Sequence, residues 1–179
     1  MIDVDALIVD CQAAVAESQP MLAVKEVVDR ALRDPEALAD ALDAKRGVTI
    51  LYRTSELTIA SVVIPSGLGR GVAHDHRMWA VVGVYGGQED NRFFRRAKSG
   101  LADSGGRSLR VSDVLAMGDD TIHAIENPLD RRDLAALHVY GGDLVGTERS
   151  MWTAPDHIEE PYDENTVVGK GGFRNKGDL

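Results

Sequence analysis

Three histidines near the middle of the chain have the residue type and spacing of a metal site. His74 and His76 stand one residue apart in the stretch GVAHDHRMWAVVGVYGG, and His123 follows in GDDTIHAIENP. Because residues i and i+2 of an extended chain point to the same face, His74 and His76 can offer ring nitrogens to a single point. His123 can supply a third nitrogen if its strand is a neighbour. Imidazole accepts zinc, iron, nickel and copper alike, so these residues predict a metal site but do not identify the metal.

The segment that must position these histidines has the pattern of a series of short strands. From Val48 to Gly142, runs of Val, Ile and Leu are separated by glycine-rich and Asp-rich turns about every ten residues. This spacing is typical of a β-sandwich or barrel and not of alternating strands and helices. Strands are predicted over residues 48–53, 56–64, 79–85, 88–96, 107–116, 121–126 and 133–140.

The N-terminal part of the chain has a helical pattern. Apolar side chains recur at helical spacing over residues 3–46, which predicts two or three amphipathic helices. The clearest of them has Asp34 as its cap, Pro35 in its first position and Gly47 as its stop. The chain is therefore predicted to be a single domain in three parts: N-terminal helices, a β-sandwich or barrel on which they pack, and a C-terminal extension that wraps the surface or is loose at its end (residues 1–46, 47–152 and 153–179).

Composition and charge exclude several classes of partner. With 179 residues, of which 44% are apolar, the chain can form one well-covered core, and its net charge of -9 argues against nucleic acids and anionic membranes. Cys11 is the single cysteine, so no internal disulfide can form, and it reads as a small buried side chain on a helix. The N-terminal stretch is acidic and its apolar positions are interrupted by Asp and Glu, unlike a signal peptide or a membrane span. These features predict a cytoplasmic protein.

The densest group of positive charges follows two acidic residues, Glu89 and Asp90. The basic residues are Arg92, Arg95, Arg96 and Lys98. Such a short group, offset by neighbouring acids, is typical of a solvated strand face. We therefore predict a surface here and no functional site.

The histidine motifs resemble the paired motifs of the cupin superfamily, whose fold is a double-stranded β-helix, or jelly-roll barrel, with a metal inside. The stretch HDHRMWAVVGVYGG, followed about fifty residues later by IHAIEN, carries this resemblance. The motif positions that the chain keeps are His74, His76, Gly87, His123 and Asn127. The resemblance implies an all-β core, a cupin barrel, with a short N-terminal helical segment.

The chain departs from the cupin motifs at two places. Ala80 and Val81 stand where the first motif has an acidic residue, and Gly118 and Asp120 replace the usual Pro-x-Gly of the second. Three neutral imidazoles leave the full charge of a metal at its open positions, so such a site favours an anionic ligand. A three-histidine site without an acid resembles the cysteine dioxygenase group of the cupins, the thiol dioxygenases.

A third passage, AALHVYGGDL, adds to that resemblance. Thiol dioxygenases carry Ser-x-His-x-Tyr on a late strand, and His138 and Tyr140 match its last two positions while Ala136 replaces the serine. The chain also resembles a set of bacterial predicted metal-dependent double-stranded β-helix proteins described as cysteine dioxygenase-like. The resemblance implies that Tyr140 is a hydrogen-bond donor to bound oxygen or substrate and that His138 orients it.

These resemblances imply a mononuclear non-haem Fe(II) dioxygenase. His74, His76 and His123 would hold the iron, and O2 would oxidise a small thiol of the cysteine or mercaptopropionate type to its sulfinate. The expected partners are this thiol and O2, without nucleic acid or membrane. The chain is expected to be a monomer or a homodimer.

Substrate binding is expected to involve an arginine and an aromatic side chain. Arg53, in the stretch LYRTSE, is the candidate for binding a substrate carboxylate, with Arg70 or Arg77 as alternatives. Trp79, close to His76 in the sequence, is expected to line the entrance.

Three alternative functions stay open at this point. Three-histidine cupins also cleave a C–C bond of β-diketone-like substrates, and a pocket without a cationic anchor would favour those compounds. Three histidines with an open position also suit catalytic zinc, and nickel is a further candidate metal. A barrel of this kind can also bind a small ligand without catalysis.

Overall fold

Helices form the N-terminal part of the chain, as predicted. The computed structural model describes residues 2–66, 71–167 and 173–175, and its helices are Val4–Val15 (α1), Pro20–Ala31 (α2), Pro35–Leu42 (α3) and Glu164–Val167 (α4). Asp34 caps α3 by accepting a hydrogen bond from a backbone amide at 3.0 Å. The helix ends at Leu42 and not at Gly47, because Asp43 adopts the left-handed conformation with φ of 38°. None of the described helices is long and apolar enough to cross a membrane.

Twelve strands make up the rest of the described fold. Their bounds are Gly47–Arg53 (β1), Thr58–Ile64 (β2), Ala73–Asp75 (β3), Ala80–Gly86 (β4), Gln88–Ala97 (β5), Gly100–Arg110 (β6), Val114–Met117 (β7), Ile122–Glu126 (β8), Leu134–Tyr140 (β9), Ser150–Thr153 (β10), Ile158–Pro161 (β11) and Phe173–Asn175 (β12). Six of the seven predicted strands are confirmed. The prediction over residues 107–116 is wrong, because Ser112 takes a positive φ of 74° and the chain turns between β6 and β7.

The strands form two sheets. The first has the order β12-β1-β2-β9-β4-β7 and the second the order β11-β10-β3-β8-β5-β6. The pairs are antiparallel apart from β1 and β12, which run parallel. The architecture is the predicted jelly-roll, or double-stranded β-helix, barrel. The C-terminal extension does more than wrap the surface, because β11 and β12 add a strand to each sheet.

The first sheet is apolar on both faces, and each face has its own partner. On one face, Val81 and Leu137 pack in a cluster with the helices. On the other face, Val82 and Tyr140 belong to the barrel interior together with Leu109 of the second sheet. This alternation follows from the two-residue period of a strand. The helices therefore cover the outside of the barrel, and its inside is free to hold a site.

Two glycines are required by close approaches of the backbone. A Cβ at Gly83 would lie 2.5 Å from Cγ1 of Val28 and 2.6 Å from Cδ1 of Leu32, so this position lets α2 lie close to the sheet. Gly87, which matches the first histidine motif, has φ of 70°, and a Cβ there would lie 2.4 Å from the carbonyl oxygen of Asp133. The motif glycine therefore serves the tight turn from β4 to β5.

Candidate metal centre

Strands β3 and β8 bring the three histidines together in the second sheet. The two strands pair with His74 directly opposite His123. Residues directly opposite each other in a sheet share a face, so these two imidazoles lie side by side. His76 comes two residues after His74, and the alternation of the chain returns it to the same face.

The donor nitrogens of the three residues lie close enough to hold one ion. One ligand atom from each of His74, His76 and His123 lies within 4.8 Å of the other two. The Nε2 atoms of His76 and His123 are 3.3 Å apart. All three side chains are buried, and His123 is only 1% exposed. The cluster is therefore a compact nitrogen site closed off from bulk water.

Two of the imidazoles are oriented through their Nδ1 atoms. Nδ1 of His74 lies 2.9 Å from the backbone carbonyl oxygen of Val72, and Nδ1 of His123 lies 2.8 Å from Oδ1 of Asn91. Both partners are acceptors, so Nδ1 carries the proton and the lone pair remains on Nε2. This tautomer is the one that an Nε2-bound metal requires, and such partners fix the orientation of ligand rings.

Burial keeps the three histidines neutral. It lowers the pKa of His74 to about 4, and it lowers the pKa values of His76 and His123 well below the usual value. Neighbouring positive charges act in the same direction, because a protonated imidazole here would face another imidazole. Neutral imidazole is the form that binds a metal.

The donor set fits a divalent transition metal. It consists of three buried neutral nitrogens, and within the described part of the chain no carboxylate belongs to the cluster. Such nitrogens suit iron, zinc, nickel and copper. Three protein donors also leave coordination positions for a substrate. The site is thus suited to metal-dependent catalysis or ligand binding, and its donors do not select one metal.

Asp75, between the two histidines of the first motif, points away from them. Its Oδ1 accepts a hydrogen bond from the backbone amide of Ser150 at 2.8 Å. Its Oδ2 lies 2.7 Å from Nε of Arg77 and 3.4 Å from a terminal nitrogen of Arg96. Asp75 therefore ties β3 to β10 and β5 and is not a ligand. Arg77, considered as an alternative anchor, is engaged in this ion pair.

The structure places His138 and Tyr140 beside the histidine cluster. Both lie on β9, with Nδ1 of His138 2.9 Å from the hydroxyl oxygen of Tyr140. The ring centroids of Tyr140 and His76 are 4.9 Å apart. Burial raises the pKa of Tyr140, so its hydroxyl group keeps its proton. Ala136, on the same face of β9, is buried and has no side-chain group that could hold His138.

Two polar residues of β5 that the sequence motifs do not predict lie behind the site. Asn91 and Glu89 are buried, with Glu89 0% exposed. Nδ2 of Asn91 donates to Oε1 of Glu89 at 2.8 Å, and Oε2 of Glu89 lies 3.4 Å from Nε2 of His138. The basic residues that follow Glu89 are exposed, which confirms the predicted solvated face for Arg92, Arg95, Arg96 and Lys98. Strand alternation was the available signal, because it places Glu89, Asn91 and Phe93 on one face.

Arg149 and Tyr162 are two further site residues that the sequence analysis did not find. Met151 pairs with His74 in the sheet, so Arg149, two residues earlier, lies on the same face. Arg149 is 8% exposed, and its guanidinium carbon lies 3.6 Å from the centroid of the Tyr162 ring. The Tyr162 and His74 ring centroids are 6.0 Å apart. The positive charge of Arg149 also contributes to the lowered pKa values of His74 and His76.

Arg149 has no carboxylate partner within ion-pair distance among the described residues, and its Nε atom has no hydrogen-bond partner there. A cavity of about 880 Å³ opens at Arg149 and Tyr162. The acidic residues of its lining are Glu148, Glu159, Glu160, Asp163 and Glu164. Arg149 and Tyr162 therefore line the cavity, and the Tyr162 ring lies between it and His74 of the cluster.

Arg53 is not brought to the histidines. Arg53 pairs with Thr58, and Thr58 pairs with Tyr140, so Arg53 lies on the same interior face of the first sheet as Tyr140. Asp143, however, binds its Nε and a terminal nitrogen at 2.6 and 2.9 Å, and the Arg53 side chain is 41% exposed. The guanidinium is therefore held at the surface end of the barrel. Arg70 lies outside the described residues.

Trp79 and Asn127 also lie away from the donor atoms. Trp79 packs in the cluster between the first sheet and the helices, because alternation puts it on the face opposite to Ala80. This placement corrects the expectation that Trp79 lines the entrance to the histidines. Asn127 donates to the backbone carbonyl groups of Ile64 and Arg132 at 3.0 and 2.9 Å. The motif asparagine thus fastens the loop that follows β8.

No protein-family model matches the chain. Among solved structures, the chain is similar to a DMSP lyase from Ruegeria pomeroyi DSS-3, with 20% identity, a TM-score of 0.41 and coverage of 54% of this chain and 43% of the lyase. An RmlC-like cupin family protein from Methanocaldococcus jannaschii gives 16% identity, a TM-score of 0.46 and coverage of 57% and 85%. Oxalate decarboxylase from Bacillus subtilis gives 20% identity, a TM-score of 0.40 and coverage of 50% and 22%. The chain thus spans less than half the length of the lyase and of the decarboxylase.

Proposed function

We propose that the chain is a metal-dependent dioxygenase that oxidises a small thiol carrying an anionic group to its sulfinate. The observation that carries the proposal is the cluster of His74, His76 and His123 without a carboxylate, next to the hydrogen-bonded pair His138 and Tyr140. Three neutral donors leave the charge of the metal to be balanced by its other ligands, which favours a thiolate. Bound Fe(II), the metal we propose, would supply coordination positions for the sulfur and O2 together with the redox chemistry.

Arg149 supports an anionic group on the substrate. A buried guanidinium is stabilised by a counter-charge, and the described residues place no carboxylate against it. A substrate carboxylate would supply that charge and match the planar donors of arginine. Arg149 therefore takes the role that was predicted for Arg53, whose guanidinium forms an ion pair with Asp143.

The residues around the cluster position the thiol and handle its proton. A thiol that binds as a thiolate must release its S–H proton, and the hydroxyl of Tyr140 with the imidazole of His138 forms a hydrogen-bonded path for it. Burial of the cluster limits the access of water to the reacting sulfur. The overall reaction, RSH + O2 → RSO2H, balances without another reductant because the sulfur supplies all four electrons.

The β-diketone alternative has less support from the site. A neutral diketone has no group that would compensate the buried charge of Arg149, whereas a thiol carboxylate does. A hydrolytic zinc enzyme would use the same three histidines. Thiol oxidation needs a redox metal and zinc-dependent hydrolysis does not, so a comparison of the iron-loaded with the zinc-loaded chain separates these two functions.

Oxygen uptake by the 179-residue chain, stripped of metal and reloaded with Fe(II), tests the proposed function. The panel contains cysteine, 3-mercaptopropionate, cysteamine and a β-diketone, with the Zn(II)-loaded chain as the matched control. We expect uptake and an equal amount of sulfinate with a thiol carboxylate, weaker uptake with cysteamine and none with zinc. Uptake with the diketone alone would replace the proposal by C–C cleavage. An iron-loaded chain that consumes no oxygen with any of the thiols would contradict it.

A further inference from the structure

Glu89 is a buried acidic side chain with contacts to two parts of the site. It lies on β5 and is fully buried. Its Oε1 accepts a hydrogen bond from Asn91, and its Oε2 lies opposite Nε2 of His138. Removing a carboxylate from water is unfavourable unless it is paired and hydrogen-bonded. The proposed function so far gives Glu89 no role.

The first contact leads from Glu89 to a histidine of the cluster. Because Nδ2 of Asn91 donates to Glu89 at 2.8 Å, Oδ1 of Asn91 is the atom that faces Nδ1 of His123, at 2.8 Å. Nδ1 of His123 must then carry the proton, and its Nε2 keeps the lone pair. Glu89 therefore fixes the side chain of Asn91 in the orientation that makes His123 a metal donor.

The second contact leads from Glu89 to the relay pair. Oε2 of Glu89 and Nε2 of His138 face each other at 3.4 Å, and both are buried atoms without a hydrogen-bond partner among the described residues, so each is the nearest available partner of the other. A carboxylate only accepts hydrogen bonds, so the proton of a neutral His138 belongs on Nε2. Nδ1 of His138 is then an acceptor, and the hydroxyl of Tyr140 donates to it at 2.9 Å.

We propose that Glu89 is a positioning residue that sets the tautomers of both His123 and His138. It faces Nε2 of His138 from the second sheet, whereas His138 itself belongs to the first. With the hydroxyl proton of Tyr140 directed at His138, the Tyr140 oxygen presents its lone pairs to the histidine cluster. Tyr140 therefore acts toward an incoming ligand as a hydrogen-bond acceptor, and not as the donor that the resemblance implies.

The direction of this relay has a consequence that rests on the proposed function. When a thiol binds, its S–H proton passes to the oxygen of Tyr140, and the hydroxyl proton of Tyr140 passes to Nδ1 of His138. The products are a thiolate, an unchanged tyrosine and a His138 imidazolium whose Nε2–H faces Glu89. A carboxylate behind an imidazole both holds its tautomer and stabilises the imidazolium. The relay thus takes the thiol proton before oxygen reacts.

Histidine tautomers can be read directly from the 15N and 1H NMR correlations of the imidazole rings. The measurement uses the 179-residue chain with and without Zn(II), which is diamagnetic. For the unmodified chain we expect the Nε2–H tautomer of His138 and the Nδ1–H tautomer of His123. An Nδ1–H tautomer of His138 would overturn the proposal. Because the test uses the unmodified chain, its outcome does not depend on whether a variant folds.

Glu89→Gln separates the two contacts of Glu89. The glutamine keeps an oxygen that accepts from Asn91, but it presents an N–H group where His138 needs an acceptor. We expect the tautomer of His138 to change to Nδ1–H, the tautomer of His123 to be retained and kcat to fall more than KM rises. Asp90→Asn, on the other face of the same strand, is the matched control and should change none of these. A Glu89→Gln chain with an unchanged His138 tautomer would refute the assignment.

Asn91→Ala tests the contact toward the metal. It removes the partner of His123 and leaves Glu89 opposite His138, so metal affinity should fall about 10- to 100-fold while the tautomer of His138 stays the same. Unchanged zinc affinity would overturn this half of the proposal. The chain could show the expected tautomers and metal affinities and still oxidise no thiol. That result would contradict the proposed function but would support the role of Glu89.

Discussion

His74 and His123 are direct cross-strand partners on β3 and β8, so two motifs about fifty residues apart supply one cluster of nitrogens. The pairing also fixes His76, because alternation along the same chain returns its ring to the shared face. The Nε2 atoms of His76 and His123 lie 3.3 Å apart, close to the separation of two ligands on one ion. A metal would therefore hold all three rings together.

Removing His76 or His123 should remove the metal. We expect the affinity for Zn(II) or Fe(II) to fall more than about 100-fold in His76→Ala and in His123→Ala, since loss of a ligand exceeds the effect of losing its hydrogen-bond partner. Competition titration and elemental analysis measure this change. His157→Asn is the control, because His157 lies outside the cluster. Its φ is 49°, a backbone conformation that asparagine tolerates. A His123→Ala chain that retains full metal affinity would contradict the assigned site.

Replacing Arg149 should weaken the binding of substrates that carry a carboxylate. We expect Arg149→Gln to raise KM for a thiol carboxylate about 10- to 100-fold, since a hydrogen bond to a charged group contributes about 1.5–3 kcal/mol. Cysteamine lacks the carboxylate, so its KM should hardly change. Arg53→Gln serves as the control, because the Arg53 guanidinium is bound by Asp143 near the surface. Equal effects of Arg149→Gln on both thiols would show that Arg149 is not the anchor.

The histidine ligands could be predicted because their arrangement follows local rules. Strand periodicity alone puts His74 and His76 on one face, and the apolar runs on both sides of the motif indicate the strands that carry them. The face of each residue along β9 follows in the same way, which places His138 and Tyr140 together. These inferences need only the two-residue period of a strand.

The residues that surround the ligands depend on contacts that sequence spacing does not contain. Arg149 and Tyr162 reach the site because β10 pairs with the three-residue strand β3, and both strands are too short to show a pattern. The burial of Glu89 was not predicted, because a buried carboxyl group is rare without a partner. Its partner, His138, lies on a strand of the opposite sheet, so only the closed barrel reveals the pair.

The stability of the metal-free chain should decrease in mildly acidic solution. Burial lowers the pKa of His74 from 6.5 to about 4, so the unfolded chain takes up the proton first as the pH falls. The stabilisation that comes from burying His74 in its neutral form is fully present above pH 6.5. It is lost progressively toward pH 4, where the free energy of unfolding is lower by about 3 kcal/mol for His74 alone. Urea unfolding of the chelator-treated chain at several pH values measures this loss. His74→Gln should flatten the profile, and an equally steep profile in that variant would exclude His74 as the source.

Cys11 should be inert in the folded chain. Its side chain is 0% exposed, and burial raises the pKa of the thiol from 9.0 to about 12, which lowers the thiolate fraction about 1000-fold. Reaction with a thiol reagent should therefore be at least about 1000-fold slower in buffer than in urea, where the chain is unfolded. Cys11→Ala is the control, because it should leave oxygen uptake unchanged and lower stability by about 1 kcal/mol. A lower oxygen uptake in Cys11→Ala would show that the Cys11 sulfur is itself oxidised. Unchanged uptake would show that the oxidised sulfur belongs to the substrate.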